Sequence, residues 1–385
     1  MGKFWNSRTI YRVLTAAVCG AVLFCSAPVP AWAGMISREQ EIELGRKTGL
    51  QLEQQYGLVA DAAVQKRVDR IGQRLARVCG RDDVTFSFKV LNCNEVNALA
   101  CPGGFVYVFK GLLDYMPSDT ELAGVLGHEV GHVAKKHTVH SIEKNMWASL
   151  GGILLGVASG SSAGMQAAMV GMQALESGFS RTDERGADKE GVNNTLAAGF
   201  NPYAMLITAH KLEDLAAEQH TPSYGLFSSH PEPEERIKRI RSQLDKLKIT
   251  PTVAEKSGTV VVRDGSWTHN INVGIGNTKP LYRGYMLAGS MWLVKGYGIV
   301  NPANFYVLDG GNSATVYYGD TEIYTCYNVD SRGAAQAARE LTGKLKTWAG
   351  LVNSGAVPGV KPDEDNDRKH KNDKKSEKSK KKKKS

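Results

Sequence analysis

The run His128-Glu129-Val130-Gly131-His132 constrains this chain more than any other feature, because it lies in a stretch, Thr120 to Lys136, whose residue pattern predicts a helix. On a helix a spacing of four sets two imidazoles about 40° apart around the axis and about 6 Å along it. Both can then bind one metal ion while Glu129 reaches a water molecule beside it. Zinc at a catalytic site takes three protein ligands and keeps one position open, so a third ligand is required. His137 and His140 follow closely. On a continuous helix, however, they fall about 140° and about 80° from His132, and both are expected to be surface histidines.

Glu184 is the best candidate for the third ligand. The segment Ser180-Arg181-Thr182-Asp183-Glu184-Arg185-Gly186-Ala187-Asp188 reads as a helix start, and Asp188 falls one turn after Glu184 on the same face. This combination supplies a carboxylate ligand and an aspartate able to hydrogen-bond a ligand imidazole, which fixes its tautomer and orientation. The expected cofactor is one Zn2+ per chain on His128, His132 and Glu184, with Glu129 as general base.

The ends of the chain predict its address. Lys3, Arg8 and Arg12 precede an apolar run from Val13 to Ala27, and Ala31-Trp32-Ala33 offers a small-x-small cleavage site, so residues 1–33 read as a signal peptide. The run is shorter than the roughly 20 residues of a spanning helix. Export to the periplasm is the expectation, with secretion as second choice. Cys79, Cys93, Cys101 and Cys326 remain after cleavage, and an oxidising compartment permits one or two disulfides among them.

The formal charge of +9 suggests nucleic-acid binding until it is located. Arg368 to Ser385 holds eleven Lys and Arg against two acids, and the leader holds three more cations, so the remainder carries a net −3. No nucleic-acid partner is expected. Residues 351–385 read as a disordered basic tail, able to make peripheral contact with an anionic membrane surface at low salt.

Helical spacing over Ile36–Tyr56, Ala62–Val78, Asp119–His140 and Arg236–Lys248, with strand alternation at Val84–Leu91 and Phe105–Phe109, predicts a mostly helical α+β catalytic domain with a small sheet over residues 34–250. Trp147 to Leu175 is rich in Gly, Ala and Met and is expected to form two buried or site-covering helices joined by a Ser/Gly linker. Residues 251–350 change texture. Short β-prone runs (Thr259–Arg263, Ile271–Ile275, Asn304–Leu308, Ala314–Tyr318, Ile323–Val329) and one helix, Arg332–Trp348, predict a smaller α+β domain of open role, in which His269 is an isolated surface residue.

With HExxH followed by ExxxD, the chain resembles the gluzincins, and more narrowly the peptidase family containing the CAAX prenyl endopeptidases, HtpX and BepA. The likeness runs from about Ile36 to Ile240 through ISREQEIELG, NEVNALACPGGFVYVFKGLL, ELAGVLGHEVGHV, SRTDERGAD and SSHPEPEERI. Thr138, six residues beyond His132, excludes the metzincin pattern. The resemblance implies zinc on His128, His132 and Glu184, Glu129 as base, Asp188 behind a ligand, and functional roles for His230 and Arg236. Either of the last two could stabilise an oxyanion, and His230 could instead occupy the fourth zinc position as an inhibitory ligand. The stretch Asn97 to Phe109 resembles the family's edge strand beside the metal, which implies substrate-binding roles for Asn97, Ala98, Leu99, Ala100, Gly103 and Gly104. Spanning helices of the membrane-embedded relatives and helical repeats of the BepA-like ones have no counterpart here. The implied function is zinc-dependent endopeptidase action on unfolded or misassembled envelope proteins. A chaperone or assembly factor with a covered zinc site is the alternative, and a surface-binding module at 251–350 a weaker third.

Overall fold

Apolar residues at helical spacing and at alternate strand positions build the N-terminal module, as the sequence pattern predicts. The structure, a computed structural model, describes residues 36–148, 169–175, 178–219, 233–330 and 332–357. Helices α1 (Arg38–Tyr56) and α2 (Ala62–Ala76) come first. On α2 the stripe Val68, Ile71 and Leu75 is buried, and Asp61 caps the helix by accepting from the Ala63 and Val64 N–H groups. Strands β1 (Ser87–Leu91), β2 (Ala98–Ala100) and β3 (Phe105–Phe109) form a sheet in the order β1-β3-β2, parallel on one side of β3 and antiparallel on the other. The short strand β2 is therefore an edge. The turn into β3 needs glycine: Gly103 has φ 70°, and a Cβ there would stand 2.6 Å from the Ile42 Cα of α1.

Helices α3 (Lys110–Tyr115), α4 (Asp119–Ala134), α5 (His137–Ala148), α6 (Arg181–Ala197), α7 (Ala204–Gln219) and α8 (Pro233–Asp245) complete this module. Helix α4 is buried without interruption from Glu121 to Val133, the signature of a central helix covered on all sides. Small residues let its neighbour come close. A Cβ on Gly127 would lie 2.8 Å from Thr195 Cγ2, and one on Gly131 would lie 2.8 Å from the Ala187 carbonyl oxygen, both on α6. The helix expected to run unbroken from Asp119 to His140 instead stops at Ala134 and restarts at His137, with Lys136 at φ 58° between. Buried ionic contacts fix that break. Arg81 donates to the Val133 carbonyl at 2.8 Å and pairs with buried Glu41 at 3.0 Å, and Glu41 accepts the Gly103 N–H at 3.1 Å.

The smaller C-terminal module holds two antiparallel three-stranded sheets, β4 (Thr252–Lys256), β5 (Thr259–Asp264), β6 (Trp267–Ile271) and β7 (Phe305–Asp309), β8 (Ser313–Tyr318), β9 (Thr321–Tyr327). Helix α10 (Ala334–Asn353) packs on the second sheet, matching the helix expected there. Helix α9 (Pro280–Gly296) corrects the expectation of a single helix. Buried residues from Tyr282 to Lys295 surround it on most sides, so no one-sided apolar stripe marks it in the sequence. Its Tyr282 and Tyr285 share a core with Met205 and Ile207 of α7 and Ile240 and Leu244 of α8. The molecule is thus α+β, a helix-rich domain around a small sheet followed by a smaller β-rich one.

Among the described residues no helix is long and apolar enough to cross a membrane. Cys79, Cys93, Cys101 and Cys326 are all free thiols, so none of the disulfides that the composition permits is formed. The expected leader (1–33), most of the expected cover (149–168) and residues 358–385 of the expected tail lie outside the described residues, and at the start expected for that tail residues 351–353 still belong to α10 and Val357 is buried.

Candidate metal centre

Helix α4 presents His128 and His132 on the face that meets the start of α6, and the close approach of the two helices brings Glu184 to both. One ligand atom from each of the three residues lies within 4.8 Å of the others, and all three side chains are buried. The Nε2 atoms of His128 and His132 are 3.0 Å apart. The Glu184 carboxylate oxygens lie 3.5 Å from His128 Nε2 and 3.3 Å from His132 Nε2. Ligands at about 2.0–2.1 Å from a tetrahedral zinc ion stand roughly 3.3–3.4 Å from one another. Two imidazoles and one carboxylate converging at that spacing fit such an ion. Among the described residues this is the one cluster of three or more His, Cys, Asp or Glu side chains able to hold a metal.

Groups behind the donors fix their orientation. Asp188 Oδ1 lies 3.0 Å from His128 Nδ1, so that nitrogen carries the proton and Nε2 presents its lone pair to the centre. Arg236 from α8 grips the same carboxylate, donating from Nε to Oδ2 at 3.1 Å and from Nη2 to Oδ1 at 2.7 Å. Burial pushes the Asp188 carboxyl up, but Arg236 and the hydrogen bond with His128 outweigh it and hold the group well below the usual carboxylate range. Asp188 therefore stays ionised. Ser180 and Asp183 form a capping box at the start of α6, which sets the helix phase that delivers Glu184 and Asp188.

Glu129, also buried, follows His128 directly on α4. The edge strand β2 carries Ala98, Leu99 and Ala100; the Asn97 side chain accepts the Ala98 N–H at 2.9 Å, and Thr138 donates to the Ala100 carbonyl at 2.9 Å. Gly103 and Gly104 lie in the buried turn under α1, where Gly103 donates to Glu41. His230 lies outside the described residues.

Two residues of this site were not anticipated. His137 is buried rather than exposed, because the break at Lys136 resets the helix phase and turns it back onto His132. His140 is exposed as expected. The Phe179 ring covers the His132 ring at 3.9 Å between centroids. An aromatic placed just before the Ser180 cap was the available signal for Phe179. His269 is half-buried against Trp267 and Tyr324 rather than on the surface, and burial pushes it down to about 4.

Comparison with known proteins finds peptidases similar to the part of the chain that carries these helices. A family model described as Peptidase family M48 matches residues 62–244, which take in α4, α6 and α8. The β-barrel assembly-enhancing protease of Escherichia coli K12 is 30% identical over 232 residues, covering 58% of this chain and 47% of that protein. Its counterpart in Yersinia pestis is 29% identical over 230 residues, covering 57% and 47%. Metalloprotease LoiP of Escherichia coli K12 is 30% identical over 192 residues, covering 48% of this chain and 72% of that protein. The chain spans about half the length of the two assembly-enhancing proteases it matches.

Proposed function

The chain belongs to peptidase family M48, and from that premise we propose that it is a zinc-dependent endopeptidase acting on unfolded or misassembled envelope proteins in the periplasm. The observation that carries this reading is the convergence of three buried donors, His128, His132 and Glu184, beside Glu129. Those three residues would hold one zinc ion, which when bound supplies a Lewis acid that polarises a scissile carbonyl and acidifies water. Glu129 takes the proton from the attacking water and passes it to the leaving amine. Arg236, committed to Asp188, acts by keeping that carboxylate ionised and His128 aligned.

Among the described strands β2 is paired on one side only, so the strand Ala98 to Ala100 and the neighbouring Asn97, Gly103 and Gly104 would line an extended polypeptide added at that edge, a mode that favours unfolded segments over folded ones. The export address rests on the leader pattern of residues 1–33, and the Lys-rich tail would add peripheral attraction to anionic membranes. His230 is assigned by resemblance alone. Raised basal proteolysis in His230→Ala would mark it as an inhibitory ligand, and lowered proteolysis as an oxyanion donor.

A second reading draws on the words "assembly-enhancing" in the names of two relatives: binding of unassembled protein segments with little cleavage. Casein hydrolysis by the mature protein, abolished in Glu129→Gln with zinc content unchanged, supports the peptidase. Binding of unfolded protein without hydrolysis by the zinc-loaded wild type supports the second reading instead.

A further inference from the structure

His128 is held from behind by Asp188 and Arg236, and the structure assigns an equivalent support to His132. We propose that His137 is a positioning residue for the metal centre, accepting the Nδ1–H of His132 with its own Nε2 turned toward the Asp183 carboxylate. The inference rests on the three-donor reading of the site.

The geometry is one-directional. His132 Nε2 faces the other donors, 3.0 Å from His128 Nε2 and 3.3 Å from Glu184 Oε1, so a metal bound there leaves the proton of the neutral ring on Nδ1. His137 Nδ1 lies 3.1 Å from that nitrogen, and the rings meet edge to face at 78°. To accept the proton, His137 Nδ1 must be bare, and a neutral His137 then carries its own proton on Nε2. That atom points to Asp183 Oδ1 at 3.7 Å. Asp183 is already fixed by its other oxygen, which accepts from the Ser180 N–H at 3.2 Å and the Ser180 hydroxyl at 2.6 Å. One placement of protons makes the bond between the two rings and leaves the remaining His137 proton facing Asp183.

The surroundings leave room for this ring. Gly186, one turn into α6, faces it so closely that a Cβ would sit 3.2 Å from His137 Cε1. Phe179 closes the face of His132. The first two turns of α6 thus carry three carboxylates with separate places: Asp183 facing His137, Glu184 toward the other two donors and Asp188 behind His128. A partner of this kind fixes the plane of a ligand imidazole and raises its basicity, and its loss typically costs about 10 to 100-fold in metal affinity.

The test measures zinc affinity of the apo mature protein by competition with a chelating dye, after circular dichroism has established folding. His137→Phe, which keeps a ring and removes the acceptor, should weaken zinc by about 10 to 100-fold. His137→Asn, whose Oδ1 can stand where Nδ1 stood, should stay near wild type. Wild-type affinity in His137→Phe, or an equal loss in both variants, would overturn the proposal in favour of simple packing. Nitrogen-15 spectra of the zinc-loaded wild type give a reading that depends on no variant folding. His137 should appear as the Nε2–H tautomer, and a proton on its Nδ1 would overturn the proposal. Absence of zinc binding in the wild type would instead refute the donor set itself.

Discussion

Helix α4 buries two glutamates eight residues apart, Glu121 and Glu129, and the two ends of the helix use them differently. At the N-terminal end Glu121 is saturated with partners. One oxygen accepts the Ser118 N–H at 2.8 Å and the Ser118 hydroxyl at 2.7 Å, closing a capping box, and the other accepts Lys211 at 2.7 Å. Lys211, fully buried, also donates to the Tyr115 carbonyl and to Asn277. At the C-terminal end His128, His132 and Glu184 converge on one point, and buried Glu129 follows His128 directly on the helix. Burial with complete pairing fixes a structure, whereas burial of convergent lone pairs makes a site for a cation. One helix carries both, so stability and chemistry should separate by position along it.

The largest effect expected is on chemistry. Glu129→Gln removes the proposed base without touching a donor, and casein hydrolysis should fall by roughly 10² to 10⁴-fold. Zinc content and thermal midpoint should match wild type. A collapse in stability would mean that Glu129 is a packing element like Glu121, and the contrast between the two ends would fail.

Next in size is the mirror-image substitution. Lys211→Met leaves Glu121 as an uncompensated buried carboxylate, and urea unfolding should show a loss of about 3–5 kcal/mol. Zinc affinity of the folded protein should be unchanged, because Lys211 reaches none of the three donors. Zinc loss at temperatures where the variant is folded would show that the two ends are coupled. Asp188→Asn follows at the metal end, with an expected drop of about 10 to 100-fold in zinc affinity or activity.

The two ends also differ in how far the sequence revealed them. The metal end was readable because its spacing obeys helix geometry: His128 and His132 four apart, Glu184 and Asp188 four apart at a capped helix start. The arrangement around His132 was not. On a continuous helix His137 would face away from His132, and one residue, Lys136 at φ 58°, turns it back. The glycines at 127 and 131 that draw α6 onto α4 were visible at helical spacing, but only the partner helix gives them meaning. Of the Glu121 cluster only the Ser118–Glu121 capping box is local, since Lys211 and Thr278 come from 90 and 157 residues further along the chain. Helix α9 hid for a related reason: burial on most sides erases the amphipathic period that marks a surface helix.

The smallest effect asks what the C-terminal module contributes to α4. Thr278, in the segment leading to α9, donates its hydroxyl to Glu121 Oε1 at 3.2 Å and lies 3.3 Å from Lys211 Nζ. Thr278→Val removes that hydroxyl at nearly constant volume. Lys211 keeps Glu121, the Tyr115 carbonyl and Asn277 as acceptors, which matches its three protons, and Glu121 Oε1 keeps Lys211. No charge is stranded, so the loss should be that of one ordinary hydrogen bond, about 0.5–1.5 kcal/mol in urea unfolding. Turnover on casein and zinc affinity should be unchanged if the second module braces the catalytic helix and does nothing more. If turnover falls while stability holds, the module communicates with the metal end through α4, and the separation of the two ends gives way to a regulated helix.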